Sequence, residues 1–399
     1  MPQTRRQSGN IQTGEGSTLS NANNGMLPLP RFRADIIGSF IRPPELRAAQ
    51  LEHRNRTKGS AHGQGKPASL VALEDQSIRE VVALQERCGL KVVTNGEFRR
   101  GVFFDFIKSI GGIRIGWGEG NFGFEGGGAT PRVNVTGPLV WPEQGITVGD
   151  FKFLRTVAKV TPKAMLPSPL TAQFHNLYRA DWIESSAYQD PEAFWSDMTE
   201  IFQKEIAALA EAGCTYLQLD ETALIKLCDA KYVAHLREAN IDPNVIVVRW
   251  IEILNACIAA KPKGMTIAMH MCRGNGPGGR WLAEGSYEPV AEAIFNQLAI
   301  DVFMLEYDTD RAGSFEPLRY FPNDKGLVLG LITTKSPELE SPDYLVQRIE
   351  TAAKYVPLER LGLSPQCGFA SDVEGNPLKS EDQARKLSLV VEVANDVWG

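Results

Sequence analysis

The sequence predicts an α/β protein of the (β/α)8 TIM-barrel class, carrying a polar N-terminal extension and a β-hairpin insertion after the second strand. Three observations lead there. Short apolar or β-branched runs alternate with longer segments of helical period, the signature of βα units on a parallel sheet. Eight such runs can be read. Unusual polar residues follow most of them, which suits a site ringed by many strand ends better than the single switch point of an open sheet.

Residues 1–29 form the extension, a flexible leader rich in Gln, Asn, Ser, Thr and Gly, ahead of a single domain over 30–399. The expected strands are Ala34–Gly38, Lys91–Thr94, Lys163–Pro167, Thr215–Leu219, Met265–His270, Asp301–Glu306, Leu327–Leu331 and Glu359–Leu363. Between the fourth strand and its predecessor, Pro191–Gly213 reads as a helix. Its Phe194, Met198, Ile201, Phe202 and Leu209 recur mostly at three- and four-residue steps. Gly89 and Gly213 stop helices where a left-handed cap is cheap for glycine, and Ser341–Pro342 opens one as cap and first-turn proline. Two stretches break the alternation. Arg54–Ser69 is polar and Gly/Lys-rich, a surface insertion, and Gly111–Gly149 reads as a hairpin excursion around Val133–Val135 and Ile146–Val148.

With 42 basic against 48 acidic side chains the net charge is −6, so no global field recruits nucleic acid or anionic lipid. The N-terminus lacks an apolar run, so a secretory signal or membrane anchor is not expected and the protein reads as cytoplasmic. Six cysteines in 399 residues are too sparse for a disulfide framework; they read as reduced thiols or metal ligands. Self-association into a homo-oligomer stays open.

The chemistry begins at His270-Met271-Cys272, where an apolar strand ends. Residues two apart on a strand share a face, so imidazole and thiolate can converge on one ion. Glu306 closes the next strand, and Cys367 follows the last. Together His270, Cys272, Glu306 and Cys367 make a reasonable tetrahedral zinc shell at a barrel mouth. Each residue has a plainer explanation: a buried thiol, a satisfied histidine, or a salt bridge from Glu306 to Arg311. Two thiolates and a carboxylate would leave a zinc centre near about −1, suited to holding a substrate thiol deprotonated rather than to making hydroxide. Other strand ends fit an amino-acid-like substrate. Ile37-Gly38-Ser39 offers backbone N–H groups and a hydroxyl to a carboxylate, while Glu97 and Asp220 offer negative charge to an ammonium. Gly274-Asn275-Gly276-Pro277-Gly278-Gly279 matches a dinucleotide pattern, but helical period resumes only near Tyr287, which argues against a nucleotide site.

Ile37-Gly38-Ser39-Phe40, Asn95-Gly96-Glu97, Leu217-Gln218-Leu219-Asp220-Glu221, His270-Met271-Cys272, Glu306 and Pro365-Gln366-Cys367-Gly368 together resemble the catalytic half of cobalamin-independent methionine synthase. The chain is similar to short, single-barrel members of that superfamily, from about Arg31 to the C-terminus. The resemblance implies catalytic Zn2+ on His270, Cys272, Glu306 and Cys367. It also implies homocysteine held by Ser39, Glu97 and Asp220, and a methylfolate donor. Three departures stand out. A 399-residue chain has no room for the additional N-terminal barrel of the full-length family. Where the family places a histidine acid after strand seven, this chain reads Leu331-Ile332-Thr333-Thr334-Lys335-Ser336-Pro337, leaving Lys335 as a candidate acid. A glycine-rich loop follows Cys272. The expected function is therefore zinc-dependent methyl transfer to homocysteine in methionine biosynthesis. The alternatives are an alkyltransferase or C–S lyase acting on another thiol or electrophile, and a non-catalytic, zinc-stabilised barrel that binds a small molecule.

Overall fold

A computed structural model describes residues 29–57, 65–119, 129–173, 183–184 and 186–399. The strands, in chain order, are β1 (Val92–Val93), β2 (Gly111–Glu119), β3 (Ala129–Val140), β4 (Thr161–Pro162), β5 (Ala164–Pro167), β6 (Tyr216–Glu221), β7 (Thr266–Met271), β8 (Val302–Glu306), β9 (Gly326–Ile332) and β10 (Leu361–Pro365). The helices are α1 (Pro44–Thr57), α2 (Ala68–Arg87), α3 (Val148–Val157), α4 (Pro191–Glu211), α5 (Ala230–Glu238), α6 (Pro243–Ile258), α7 (Glu288–Gln297), α8 (Pro342–Ala352) and α9 (Ser380–Trp398).

β5 to β10 form one parallel sheet in sequence order, with β6 to β9 buried along their whole length. Strands covered on both faces are mainly apolar, which is why they stand out as runs; the polar residues that interrupt them, among them Gln218, Asp220, His270 and Glu306, are themselves buried. Beyond this sheet the pairing thins. β1 pairs in parallel with β4 over two residues, and β4 leads through Lys163 into β5. Ala34 makes a single parallel bridge to Leu363 in β10. A small apolar cluster takes Ile37, Val92, Tyr216, Ala268, Val302, Met304, Val328 and Cys367 from successive segments. The larger core lies between the sheet and its helices.

The helix signals hold where they can be checked. Asp190 caps α4 through its side chain to the Glu192 N–H (2.9 Å), Pro191 fills the first turn, and the expected apolar stripe is buried. Ser341 caps α8 through the Tyr344 N–H at 3.2 Å. Gly89 (φ 92°) and Gly213 (φ 90°) sit left-handed after α2 and α4.

Four expectations need correction. Ala34–Gly38 is no regular strand. After the bridge, its carbonyl at Gly38 is taken by the Thr94 hydroxyl (2.8 Å), and Phe40 N–H reaches Gly96 O (3.1 Å), so side-chain and loop bonds replace a ladder. The third strand is divided at Lys163, whose side chain turns inward. In the hairpin, β3 pairs antiparallel with β2, not with Ile146–Val148. The N–H groups of Ile146 and Thr147 instead donate to the buried Glu205 carboxylate, both at 2.7 Å, just before α3. The 54–69 insertion begins inside α1 and ends inside α2; its middle, 58–64, lies outside the described residues, as does the leader over 1–28. No helix among the described residues is long and apolar enough to cross a membrane.

Candidate metal centre and amino-acid pocket

The carboxyl ends of β7, β8 and β10 bring four side chains together. One ligand atom from each of His270, Cys272, Glu306 and Cys367 lies within 4.8 Å of every other. Register explains the meeting: His270 stands beside Met304 across β7 and β8, Glu306 extends two residues further, and Cys367 follows β10 where it leaves the sheet. Gly330 permits that exit, since a Cβ there would stand 2.8 Å from Gln366 Cα.

His270 Nδ1 faces the Met304 carbonyl at 3.4 Å, while its buried Nε2 has no hydrogen-bond partner and looks toward Glu306 Oε1, 4.0 Å away. An imidazole with one nitrogen on a backbone carbonyl and the other unsatisfied among thiols and a carboxylate is arranged as metal-ligating histidines are. Cys272 and Cys367 sulfurs stand 3.6 Å apart as free thiols. They behave as a pair. The hydrogen bond from Cys272 holds the Cys367 thiol down at about 5 despite its burial, and the same bond pushes Cys272 well above the usual thiol range. With no cation between them only Cys367 carries the charge; a bound cation would let both sulfurs ionise. Burial works against a charged His270, yet Cys367, Glu306 and Asp220 raise it to about 9, a second sign of uncompensated negative potential.

Glu306 is fully buried and held at both ends. Its Oε1 accepts the Arg273 N–H and its Oε2 accepts from Arg311, each at 2.7 Å. The salt bridge to Arg311 and the cluster of possible ligands thus coexist on one carboxylate. Tyr287 fixes the backbone behind it: the Glu306 N–H donates to Tyr287 Oη at 3.0 Å, and the hydroxyl donates to Glu306 O at 3.3 Å.

Beside this cluster lie the residues read as amino-acid binders. Asp220 pairs in register with His270. Burial raises its carboxyl, and burial together with Asp220 pushes Glu97 up to about 7 against the pull of Arg100. Glu97 is one of two non-glycine residues with positive φ (60°) among the described residues, in a turn pinned by Asn95 Oδ1 at 2.9 Å. Such a conformation is costly for a long side chain and clusters at functional sites. Gly38 (φ 126°) brings the chain so near that a Cβ would lie 3.7 Å from Glu97 Oε1 and 1.9 Å from Met165 Sδ. Ser39 is buried with its hydroxyl 3.3 Å from Ser371 Oγ, packed so tightly on Gly368 that a Cβ there would overlap it. Lys335 Nζ donates to Asn275 Oδ1 (3.1 Å) and Gly274 O (3.3 Å), on the loop behind Cys272. The glycine motif in that loop holds only a short 3-10 turn, Pro277–Gly279; the next α-helix is α7.

Sequence reasoning missed the support beneath. Lys163 Nζ, fully buried, donates to Asp35 Oδ1 and Gln218 Oε1, both at 2.8 Å; Tyr216 donates to Asp35 Oδ2 at 2.5 Å. Gln218 Nε2 in turn donates to Asp220 Oδ1 (2.7 Å) and Ile37 O (2.8 Å), joining this network to both halves of the pocket. Charged residues inside otherwise apolar runs were the available signal. Arg42 was missed as well; its guanidinium ties Arg100 O (2.7 Å) to Ala370 O (3.0 Å).

Fold and cluster define a parallel α/β protein with a buried nitrogen, sulfur and oxygen donor set at the carboxyl ends of its strands. The chain belongs to the cobalamin-independent synthase catalytic-domain family, whose model matches residues 32–396. It is 39% identical over 374 residues to the uncharacterized protein YxjG of Bacillus subtilis, covering 92% of this chain and 95% of that one. It is 26% identical over 348 residues to a methionine synthase of Pyrococcus horikoshii, covering 86% and 88%. A Listeria monocytogenes structure, provisionally described as a vitamin-B12-independent methionine synthase, superposes with a TM-score of 0.70 at 34% identity, covering 92% of this chain and 98% of that chain.

Proposed function

We propose that this protein is a zinc-dependent thiol methyltransferase of the cytoplasm, moving a methyl group from a methyltetrahydrofolate-type donor to homocysteine, with residues 30–399 acting as one closed (β/α)8 barrel. The observation that carries the reading is the four-residue donor cluster within 4.8 Å, facing a pocket of two buried carboxylates. Closure is supported by the edge pairings through Ala34, β1 and β4 and by the interior cluster that draws on these segments. When bound, Zn2+ would supply the charge that keeps a guest thiol anionic and nucleophilic at neutral pH.

The chain's own residues do the rest. Glu97 and Asp220 take the ammonium of the amino acid, and backbone N–H groups at Ile37–Ser39 with the Ser39 hydroxyl take its carboxylate. Gln218 and Lys163 hold Asp220 in place from below. Fixing both charged ends aims the thiol at the donor cluster, and positioning of this kind replaces much of the entropic cost of a bimolecular step. Lys335, beside Asn275, is the candidate proton donor to the leaving group.

The test is an assay of purified protein with homocysteine and methyltetrahydrofolates of different glutamate lengths, scored for methionine, with metal content measured in parallel. Methionine formed by metal-loaded protein, and lost on chelation, is the expected result. Stoichiometric metal without methionine from any donor favours the second reading, an alkyltransferase for another thiol or electrophile. The absence of a histidine from Leu331–Pro337 supports that alternative.

A further inference from the structure

Building on that metal reading, we propose that Arg311 is a positioning residue that shares Glu306 with the metal, limiting the carboxylate to one ligating oxygen and keeping hold of it when that oxygen lets go. The two oxygens face different ways. Oε1 looks toward His270 Nε2, 4.0 Å away, and Oε2 is engaged by Arg311 Nη2 at 2.7 Å. The same Nη2 reaches Asp308 Oδ1 at 2.8 Å, so the guanidinium is itself divided between two carboxylates.

Arg311 is built in rather than loosely placed. Its side chain is 6% exposed, its guanidinium lies over the Trp281 ring (5.4 Å to the centroid), and its carbonyl accepts the Gly285 N–H at 2.8 Å. A cation this close draws charge from Glu306, weakening it as a donor, and repels any cation in the cluster. Outer-shell partners that merely orient a ligand do the opposite, since their removal lowers metal affinity. The direction of the effect therefore separates the two roles.

The experiment uses the full chain loaded with Zn2+ or Co2+, with homocysteine as the thiol. Zn2+ affinity is read by chelator competition, and thiol entry by the shift in the Co2+ absorption bands. Arg311→Met is expected to bind Zn2+ about tenfold more tightly and to need about tenfold more thiol for half of the shift, the scale of outer-shell changes. Arg311→Lys falls between. Asp308→Asn, which leaves Arg311 to Glu306 alone, moves both readouts the other way. Weaker Zn2+ binding by Arg311→Met, or no change in either readout, overturns the proposal. If Arg311→Met shows no cooperative melt, the sign of Asp308→Asn decides. A wild type that binds no stoichiometric metal removes the metal reading and this inference with it; a wild type that binds normally, with unmoved variants, removes this inference alone.

Discussion

The two sides of the molecule hold their functional groups by different means. On one side, β6 to β10 are long, fully paired and buried, and they deliver His270, Cys272, Glu306 and Cys367 from strand ends in fixed register. On the other, ladder contacts shrink to the single Ala34 bridge and the two-residue β1–β4 pair. There Ser39 and Glu97 are placed by left-handed residues at Gly38, Gly96 and Glu97, by side-chain bonds from Thr94 and Arg42, and by the buried Lys163 network. Regular strands suit a donor set that tolerates little displacement. Irregular backbone suits the pocket proposed to present N–H groups and carboxylates to a small charged guest. Damage on the first side should thus be read in metal, and damage on the second in stability and amino-acid affinity.

The sharpest break is Cys367→Ser. Metal affinity should fall by more than about a hundredfold, beyond the loss typical of an outer-shell partner, while circular dichroism shows the sheet intact; retention of metal through dialysis would count against the donor set. Next in size is Lys163→Met, which leaves buried Asp35 without its cation. Urea unfolding should show a loss of about 3–5 kcal/mol, partly recovered by adding Asp35→Asn, with metal stoichiometry unchanged once refolded.

Gly38→Ala is milder. The backbone at φ 126° is unfavourable for alanine, and the Met165 terminus must also move, so about 1–3 kcal/mol is expected. Calorimetric titration should show homocysteine binding weakened more than metal binding. The smallest effect is a pH signature. Glu97 is raised in the folded state to about 7, so folding favours its protonated form, and its ionisation costs stability as pH climbs from the ordinary carboxyl range through 7. Glu97→Gln should remove that loss, raising Tm above pH 7 and leaving it nearly unchanged below pH 4. Ammonium binding runs the other way: it needs ionised Glu97, so wild-type affinity should improve as pH rises through 7 and the variant should flatten that slope.

The same division governs what could be read in advance. β6 to β10 appear within one or two residues of their expected spans because strands covered on both faces leave mainly apolar runs. The i, i+2 spacing of His270 and Cys272 needed only strand geometry to be recognised. Membership of the synthase family, read from the ordered motifs, stands on the family match over 32–396. On the irregular side, composition carries less information. Nothing in Asn95-Gly96-Glu97 announces that Glu97 itself is left-handed, since non-glycine residues seldom are. Lys163 and Asp35 lie in segments expected to be strands, but their pairing spans 128 residues and only folding reveals it. Ile146–Val148 looked strand-like because β-branched residues suit strands, and the Glu205 carboxylate, far off in sequence, claims the backbone instead.

The spacing of the four donors along the chain has a consequence for biosynthesis. Cys367 lies 95 residues after Cys272, so on the ribosome the first three donors emerge long before the fourth. An ion captured early would meet an incomplete shell and exchange readily. On the proposed metal reading, tight loading must wait until Cys367 is released and seated, so retained metal would mark a chain folded past that residue.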